Sequence, residues 1–420
     1  MEENSDNGTK YISLQPFIHQ VGGHSSMLCL DEATVCKPVV EREQLFYESL
    51  PESLRSFVPR YYGIIKVRLI QEGEYITLLA SSPDNYSPKP SSTLKRLRLR
   101  RNGSIEVEGA SLSAMFDAEP AVDDDAATIN PWVLKCHKEY ITRLMAKLEE
   151  EHCPLKSTDF IVLENLTWRF SLPCILDLKM GTRQYGDNDS LAKRQSKMVK
   201  VVTTTSAKLG LRIGGMQVYQ ASSGRFLCRN KLYGRTLTAA GFQSAVRNFL
   251  HDGTRLRTDA LPPLIRRLEE LRNALMQLES IRLYTTSLLL LYEGHHSISN
   301  EETSGEKNEM RRSRSIEREE RAERANSVDR QDEMLKQPTD FRVRCSSSCN
   351  ANEKKLFRPV EKHREEEPLT DVRIIDFAHS THRAMDDRVL YSGPDNGFLF
   401  GLNNMIQLLK SILVDADQAC

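Results

Sequence analysis

The segment Pro173–Gly181 has the sequence PCILDLKMG. Apolar residues fill most of it and a proline stands at its entrance, which predicts a buried β-strand. Asp177 and Lys179 are two residues apart, so both side chains emerge on the same face of that strand. Such a pair is usually a surface ion pair. On a strand that faces a cleft, the same two groups would orient a bound molecule and neutralise developing charge.

The elements around this segment predict an α+β fold. On the helix that apolar spacing predicts at Glu41–Leu50, we expect Leu45, Phe46 and Leu50 to face inward. A β-rich part, a connector and a mixed part form the outline of a two-lobed kinase, which many other α+β proteins share. Apolar spacing predicts helices at Glu41–Leu50, Pro131–Glu151, Asp189–Val202, Pro263–Ser280 and Gly397–Leu413. Strands are predicted at Leu14–Val40 (two strands around a glycine-rich turn), Tyr61–Val67, Glu74–Leu79, Phe160–Leu166, Cys174–Lys179, Gly215–Tyr219, Arg225–Lys231, Tyr284–Tyr292 and Val372–Phe377.

Composition limits the class of protein. The 420 residues carry 58 Lys+Arg and 58 Asp+Glu, and this zero net charge argues against a nucleic-acid-binding protein. Nine irregularly spaced cysteines indicate free thiols in a reducing compartment. Apolar runs such as Leu288–Leu291 are far shorter than the roughly 20 residues of a membrane-spanning helix. The acidic, polar N-terminus does not resemble a signal peptide, so we expect a cytoplasmic and nuclear protein without a membrane span.

Two stretches, about 81–130 and about 296–368, have the composition of insertions. The second has no aromatic residue between Gly294 and Asp340 and is dense in charged and small polar residues. Such segments cannot bury enough apolar surface to offset the entropy of ordering, so we expect both insertions to be disordered. They are candidate surfaces for protein partners.

Two isolated charged residues are candidates for phosphate chemistry. Glycines in the turn Val21–Ser26 would let backbone N–H groups approach a phosphate, or would simply form a hairpin turn. Lys37 follows on the next strand and would reach nucleotide phosphates, or would be a solvated surface lysine. Asp376 ends an apolar strand. Because an unpaired buried carboxylate is costly, it either binds Mg²⁺ or caps the turn that follows.

A basic helix follows PCILDLKMG. Lys193, Lys197 and Lys200 lie at i, i+4 and i+7, so they share one helical face. Their mutual repulsion, roughly a few tenths of a kcal/mol per pair, would be relieved by an anionic ligand. A solvated face is the alternative. A polyphosphate ligand is the better interpretation beside the Asp177–Lys179 strand.

Together, these residues resemble the inositol polyphosphate kinase family. Its signature P-x-x-x-D-x-K-x-G is filled by Pro173, Asp177, Lys179 and Gly181, and its SLL and IDF elements correspond to Ser287–Leu289 and Ile375–Phe377. The hexakisphosphate kinase branch is the most similar, on VCKPVVEREQLFYESLP, LENLTWRFSLPCILDLKMGTRQYGDNDS, TSAKLGLRIGGMQVYQ and IIDFAHST. The resemblance covers nearly all of the chain outside the two insertions.

The resemblance implies a two-lobed, protein-kinase-like (ATP-grasp/kinase-like) fold. It implies an N-terminal ATP-binding lobe over residues 1–165 and a C-terminal catalytic lobe over 166–420. A small helical insertion at about 185–211 would bind the inositol phosphate. The branch usually reads GDD after the core motif, whereas this chain has Gly186-Asp187-Asn188, with Asp189 as the acid that could compensate.

The resemblance also implies roles for individual residues. Asp177 and Lys179 would contact the acceptor and the transferred phosphate, and Asp376 would bind Mg²⁺. Lys37 and Ser287 would contact the ATP phosphates, and the backbone of Glu164, Asn165 and Leu166 would meet adenine. Candidates for the substrate phosphates are Lys193, Lys197, Lys200 and Arg212.

The expected activity is the ATP-dependent phosphorylation of inositol hexakisphosphate to an inositol pyrophosphate. The acceptor is then a phosphate oxygen that is already ionised, so no general base is required. A multikinase or trisphosphate 3-kinase of the same family would act on ring hydroxyls and would need Asp177 to accept a proton or a hydrogen bond. A catalytically inactive scaffold that acts through its insertions is the non-enzyme alternative.

Overall fold

The computed structural model describes residues 11–23, 26–81, 97–100, 105–107, 126–127, 131–151, 157–295, 368–385, 387 and 389–419. In chain order its strands are β1 (Tyr11–Ser13), β2 (Gln15–Pro16), β3 (Leu28–Cys29), β4 (Thr34–Pro38), β5 (Tyr61–Glu72), β6 (Tyr75–Ser81), β7 (Leu97–Arg100), β8 (Ile105–Val107), β9 (Ala126–Ala127), β10 (Thr158–Glu164), β11 (Pro173–Met180), β12 (Leu211–Gln220), β13 (Arg225–Arg229), β14 (Ser287–Glu293) and β15 (Thr370–Ile375). The α-helices are α1 (Glu41–Glu48), α2 (Pro131–Glu151), α3 (Leu191–Val202), α4 (Thr205–Leu209), α5 (Lys231–Thr236), α6 (Ala239–Phe249), α7 (Leu261–Met276) and α8 (Asn396–Ala419), and short 3-10 helices lie at Glu52–Phe57, Thr258–Ala260 and Arg383–Met385.

The strands form two antiparallel sheets. The first has the order β2-β3-β4-β10-β5-β6-β7-β8, with β1 paired to β6, and the second has the order β15-β14-β11-β12-β13-β9. Helices α7 and α8 pack on each other, and their buried residues join those of β11, β14 and β15 in one hydrophobic core. The predicted α+β class is therefore confirmed.

Strand β11 lies at the centre of the second sheet, between β14 and β12. Asp177 pairs in register with Gly215 on β12 and Leu289 on β14, and Lys179 pairs with Arg212 and Ser287. Almost every side chain of β11 is buried, as the apolar run predicts for a central strand. The register therefore brings Asp177, Lys179 and Arg212, three of the predicted site residues, close together.

Two local predictions are wrong in detail. The strand predicted from Tyr284 begins only at Ser287, because Thr285 has a left-handed backbone with φ +63° that cannot continue a strand. On α1, Leu45 is 53% exposed, whereas Glu43 is 2% exposed. The helix is turned so that Glu43, Phe46 and Tyr47 form its buried face.

The two predicted insertions lie largely outside the described residues. Within 81–130 the structure describes β7, β8 and β9, which pair with β6, with each other and with β13. Nearly all of 296–368 lies outside the described part, so disorder in both stretches stays a prediction, as do the lobe boundaries. Helix α8 is long and apolar enough to cross a membrane, a test that core helices also pass. Its inner face is part of the hydrophobic core.

Candidate active site

Residues of both sheets line one cleft of about 400 Å³. Strand β11 contributes Asp177 and Lys179, β4 contributes Lys37, and Asp376 follows the end of β15. One part of the cleft is apolar and another is strongly cationic. The apolar part includes Val21, Val35, Leu163, Leu166, Ile175, Leu289, Leu291 and Ile375, and the cationic part includes Lys197, Lys200, Arg212 and Arg235.

Four charged side chains form a network between these parts. The Lys37 Nζ atom lies 2.8 Å from Glu43 Oε1 and 3.4 Å from Asp376 Oδ1. Lys179 Nζ donates to the other carboxylate oxygen of Asp376 at 2.7 Å. The backbone N–H of Phe377 also donates to Glu43, at 3.1 Å. Asp376 is thus held between two lysines, one from each sheet.

The electrostatics of the two aspartates differ. Burial favours the neutral form of both, but the ammonium groups of Lys179 and Lys37 outweigh burial at Asp376 and hold its pKa well below the usual range. At Asp177, burial prevails over the charge of Lys179, so its pKa is raised. The Oδ1 atom of Asp177 and the hydroxyl of Ser287 are buried without a well-formed hydrogen bond in the described part of the chain. Asp376 is therefore the more strongly ionised of the two carboxylates.

The glycine-rich turn rests directly on Asp177 and on strand β12. A Cβ atom at Gly22 would lie 1.9 Å from Asp177 Oδ2, and one at Gly215 would lie 1.8 Å from the Val21 carbonyl oxygen. Gln20 braces the turn by donating to the Gly22 carbonyl at 2.9 Å and accepting from the Met27 N–H at 3.2 Å. Glycine is required at Gly22 because the buried Asp177 carboxylate lies against it, and at Gly215 because the backbone of Val21 approaches it.

The connector Glu164–Leu166, at the end of β10, lines the apolar part of the cleft. The Asn165 side chain donates to the Glu32 carbonyl and accepts from Thr167, so it shapes the connector itself. The Glu164 carboxylate accepts from the Arg60 N–H and pairs with Arg373 at 3.3 Å. Leu166 lines the cleft, and no described residue forms a hydrogen bond with its N–H group. The backbone N–H groups of Glu164 and Asn165 donate to the carbonyls of Arg60 and Ala33, so within the described part of the chain the Leu166 N–H is the connector donor left to face the cleft.

The cationic part contains most, but not all, of the predicted substrate residues. Lys197 Nζ pairs with Asp189 at 2.7 Å, and Asp189 also accepts from the Gly186 N–H. Burial and the nearby Arg235 lower the pKa of Arg212 to about 10, and burial and neighbouring cations also lower that of Lys200. Such mutual destabilisation of cations is typical of a site that binds an anion. Lys193, one turn earlier on α3, is exposed and does not line the cleft, and Ser287 is buried behind its lining.

Sequence reasoning missed Glu43 and Arg235. Glu43 stands three and four residues before Phe46 and Tyr47 and so shares their helical face, but spacing alone does not reveal the lysine that allows an acidic residue to be buried there. Arg235 had no such signal. Its position depends on the packing of α5 against β12, where a Cβ atom at Gly234 would lie 2.0 Å from the Ile213 carbonyl oxygen.

The fold and this cleft define a kinase-like protein with a cationic pocket beside a network of charged side chains. The family model of inositol polyphosphate kinases matches residues 160–410, and the chain belongs to the inositol polyphosphate kinase family. It is 36% identical to inositol hexakisphosphate kinase 1 of Homo sapiens, over 96% of this chain and 95% of that protein. It is 34% identical to inositol hexakisphosphate kinase 3 of Mus musculus, over 96% and 95%.

Among solved structures, the chain matches the inositol phosphate multikinase of S. cerevisiae in complex with ADP and Mn²⁺. That match has a TM-score of 0.40 and 25% identity, and covers 61% of this chain and 84% of the multikinase chain.

Proposed function

We propose that this protein is an ATP-dependent kinase that phosphorylates inositol hexakisphosphate to a diphosphoinositol pentakisphosphate. The observation that carries the proposal is the arrangement of the cleft. An apolar part suited to a nucleotide base and a cationic part suited to a polyphosphate meet at Lys37, Lys179 and Asp376. The names of the relatives that match along nearly the whole chain support the same activity.

In this proposal the apolar part binds ATP. The N–H of Leu166 is available to the adenine ring, and the side chains of Val35 and Ile375 enclose its faces. Lys37 would contact the nucleotide phosphates, with Glu43 holding it in place. Backbone amides of the turn at Gly22–Gly23, which also line the cleft, would approach the same phosphates.

The donor set fits Mg²⁺. Asp376 is ionised, and its side chain is 32% exposed toward the cleft. Mg²⁺ is usually held by one or two carboxylates together with substrate phosphates, and it supplies charge neutralisation when bound. Asp376 is the candidate to hold it.

The cationic part would bind the inositol phosphate. Each phosphate group carries roughly −1.5 to −2 charges at neutral pH, so bringing it to ATP requires strong cationic stabilisation. Lys197, Lys200, Arg212 and Arg235 supply that charge on the acceptor side. Lys179 stands between the two parts and would stabilise the transferred group. Because the acceptor oxygen is already ionised, Asp177 has no proton to accept in this reaction.

A kinase of ring hydroxyls is the second candidate. The observation that favours it is the raised pKa of Asp177, since a buried carboxylate of raised pKa suits proton acceptance from a hydroxyl. The proposed reaction and this alternative use the same cleft and differ in the acceptor.

The test is to incubate the protein with Mg-ATP and inositol hexakisphosphate and to follow the products by ³¹P NMR. We expect a diphosphate signal that is absent with Asp376→Asn. No turnover on the hexakisphosphate together with turnover on a trisphosphate would favour the alternative, and no turnover on either would refute both.

We also propose a cytoplasmic and nuclear location. The described cysteines Cys29, Cys36, Cys136, Cys174 and Cys228 are all free thiols, which supports a reducing compartment. Protein partners of the predicted insertions stay a prediction that co-purification with and without residues 296–368 would test.

A further inference from the structure

Helix α1 carries Glu43, but little in its own sequence fixes its position. It has only eight residues, and isolated helices of that length are marginal in water. Val40 precedes it, and no side chain caps its first turn. The placement of Glu43 against Lys37 must therefore depend on what α1 packs against.

The chain that follows Asp376 provides that packing. The ring of Phe377 stacks on Phe46 with centroids 4.3 Å apart. At the C-terminal end of α1, the Ser49 hydroxyl lies 3.0 Å from His382 Nε2. Both contacts hold the second half of the helix, whereas Glu43 lies in the first half.

Besides the bond that Glu43 accepts from the Phe377 N–H, an ion pair between Arg42 and Asp387 holds the first turn of α1. Arg42 Nη1 donates to Asp387 Oδ1 at 2.9 Å, and Nη2 donates to Oδ2 at 2.5 Å, in a bidentate arrangement. The Thr381 hydroxyl donates to the same carboxylate. A bidentate arginine–carboxylate pair fixes orientation as well as distance, which a lysine or a single contact would not do.

We propose that Arg42 and Asp387 are positioning residues that set the first turn of α1 and thereby keep Glu43 on Lys37. Arg42 is the neighbour of Glu43, so a turn of the helix that breaks the ion pair also moves the Glu43 carboxylate. Lys37 would then keep only Asp376 as its partner, at 3.4 Å. The lysine would neutralise the Asp376 carboxylate instead of reaching a nucleotide.

The test compares Asp387→Asn with wild type. Asparagine keeps the shape of the side chain and its bond from Thr381, but loses the charge. We expect the affinity for Mg-ADP, measured by isothermal titration calorimetry, to fall about fivefold, as for the loss of a partly exposed ion pair. The KM for the inositol phosphate should stay within about twofold. The reversed pair Arg42→Asp with Asp387→Arg should recover most of the lost affinity.

Asp159→Asn is the matched control, because Asp159 forms an ion pair with Lys66 that is exposed on both sides, at 3.2 Å. It should leave the ADP affinity unchanged. Unchanged affinity in Asp387→Asn, or no recovery in the reversed pair, would overturn the proposal.

The readout with ADP rests on the proposed function, so a second measurement tests the ion pair without a nucleotide. Hydrogen exchange of the amides of Glu41–Glu48 in the free protein should be faster in Asp387→Asn than in wild type. Equal exchange rates would overturn the proposal even if the protein bound no nucleotide, whereas faster exchange without ADP binding would instead refute the proposed function.

Discussion

Replacing Gly215 by alanine should damage catalysis while leaving the fold intact. The added Cβ atom would lie 1.8 Å from the Val21 carbonyl oxygen, and Cβ atoms essentially never approach closer than 3.0 Å. The glycine-rich turn must therefore retreat by ~1.2 Å from β12 and Asp177. A displacement of about 1 Å in a positioning element can cost about 10²-fold in rate, so we expect kcat to fall about a hundredfold.

The assay is steady-state turnover of Mg-ATP and inositol hexakisphosphate, with thermal unfolding of the same samples. The melting temperature should change by only a few degrees, because the turn moves rather than the central strand. Gly241→Ala is the control, since a Cβ atom there meets nothing closer than 3.4 Å. A kcat for Gly215→Ala within about threefold of wild type would refute the reasoning that the turn must sit against β12.

Two further changes test other parts of the site, and a third tests a buried histidine outside it, on helix α2. Arg235→Ala should raise the KM for the hexakisphosphate about tenfold, as for one charge-assisted contact, without changing the KM for ATP, whereas the exposed Arg225→Ala should change neither. Asp177→Asn should reduce phosphorylation of ring hydroxyls more than pyrophosphate formation, and equal losses on the two acceptors would contradict the assigned role. Burial lowers the pKa of His137 from 6.5 to about 4, so its neutral form is favoured on folding and stability should fall as the pH drops below 6.5. We expect a loss of about 2 kcal/mol from this residue between pH 7.5 and pH 5 in chemical unfolding, which His137→Gln should abolish.

Much of the fold could be predicted because its elements bury regular apolar patterns. Pro131–Glu151 was predicted with the bounds that the structure shows, and the strand at PCILDLKMG differs by one residue at each end. Helix α1 shows the limit of this reasoning. Its apolar Leu45 is exposed and its acidic Glu43 is buried. The burial of Glu43 is possible because Lys37 on strand β4 compensates its charge. Local patterns do not reveal partners that are distant in the sequence.

The pair Asp177 and Lys179 shows the same limit at the site itself. Two opposite charges on one face of a strand suggest an ion pair with each other, yet Lys179 donates to Asp376, which is 197 positions away. Lys37 approaches the same carboxylate from the other sheet. Asp376 thus stays ionised without a metal, while Asp177 is left with burial as the largest influence on its pKa. The two lysines that stabilise Asp376 also line the cleft where its two parts meet. A ligand that supplied its own cation at Asp376 would free both lysines for its phosphates, so the network can exchange partners without leaving a buried charge unpaired.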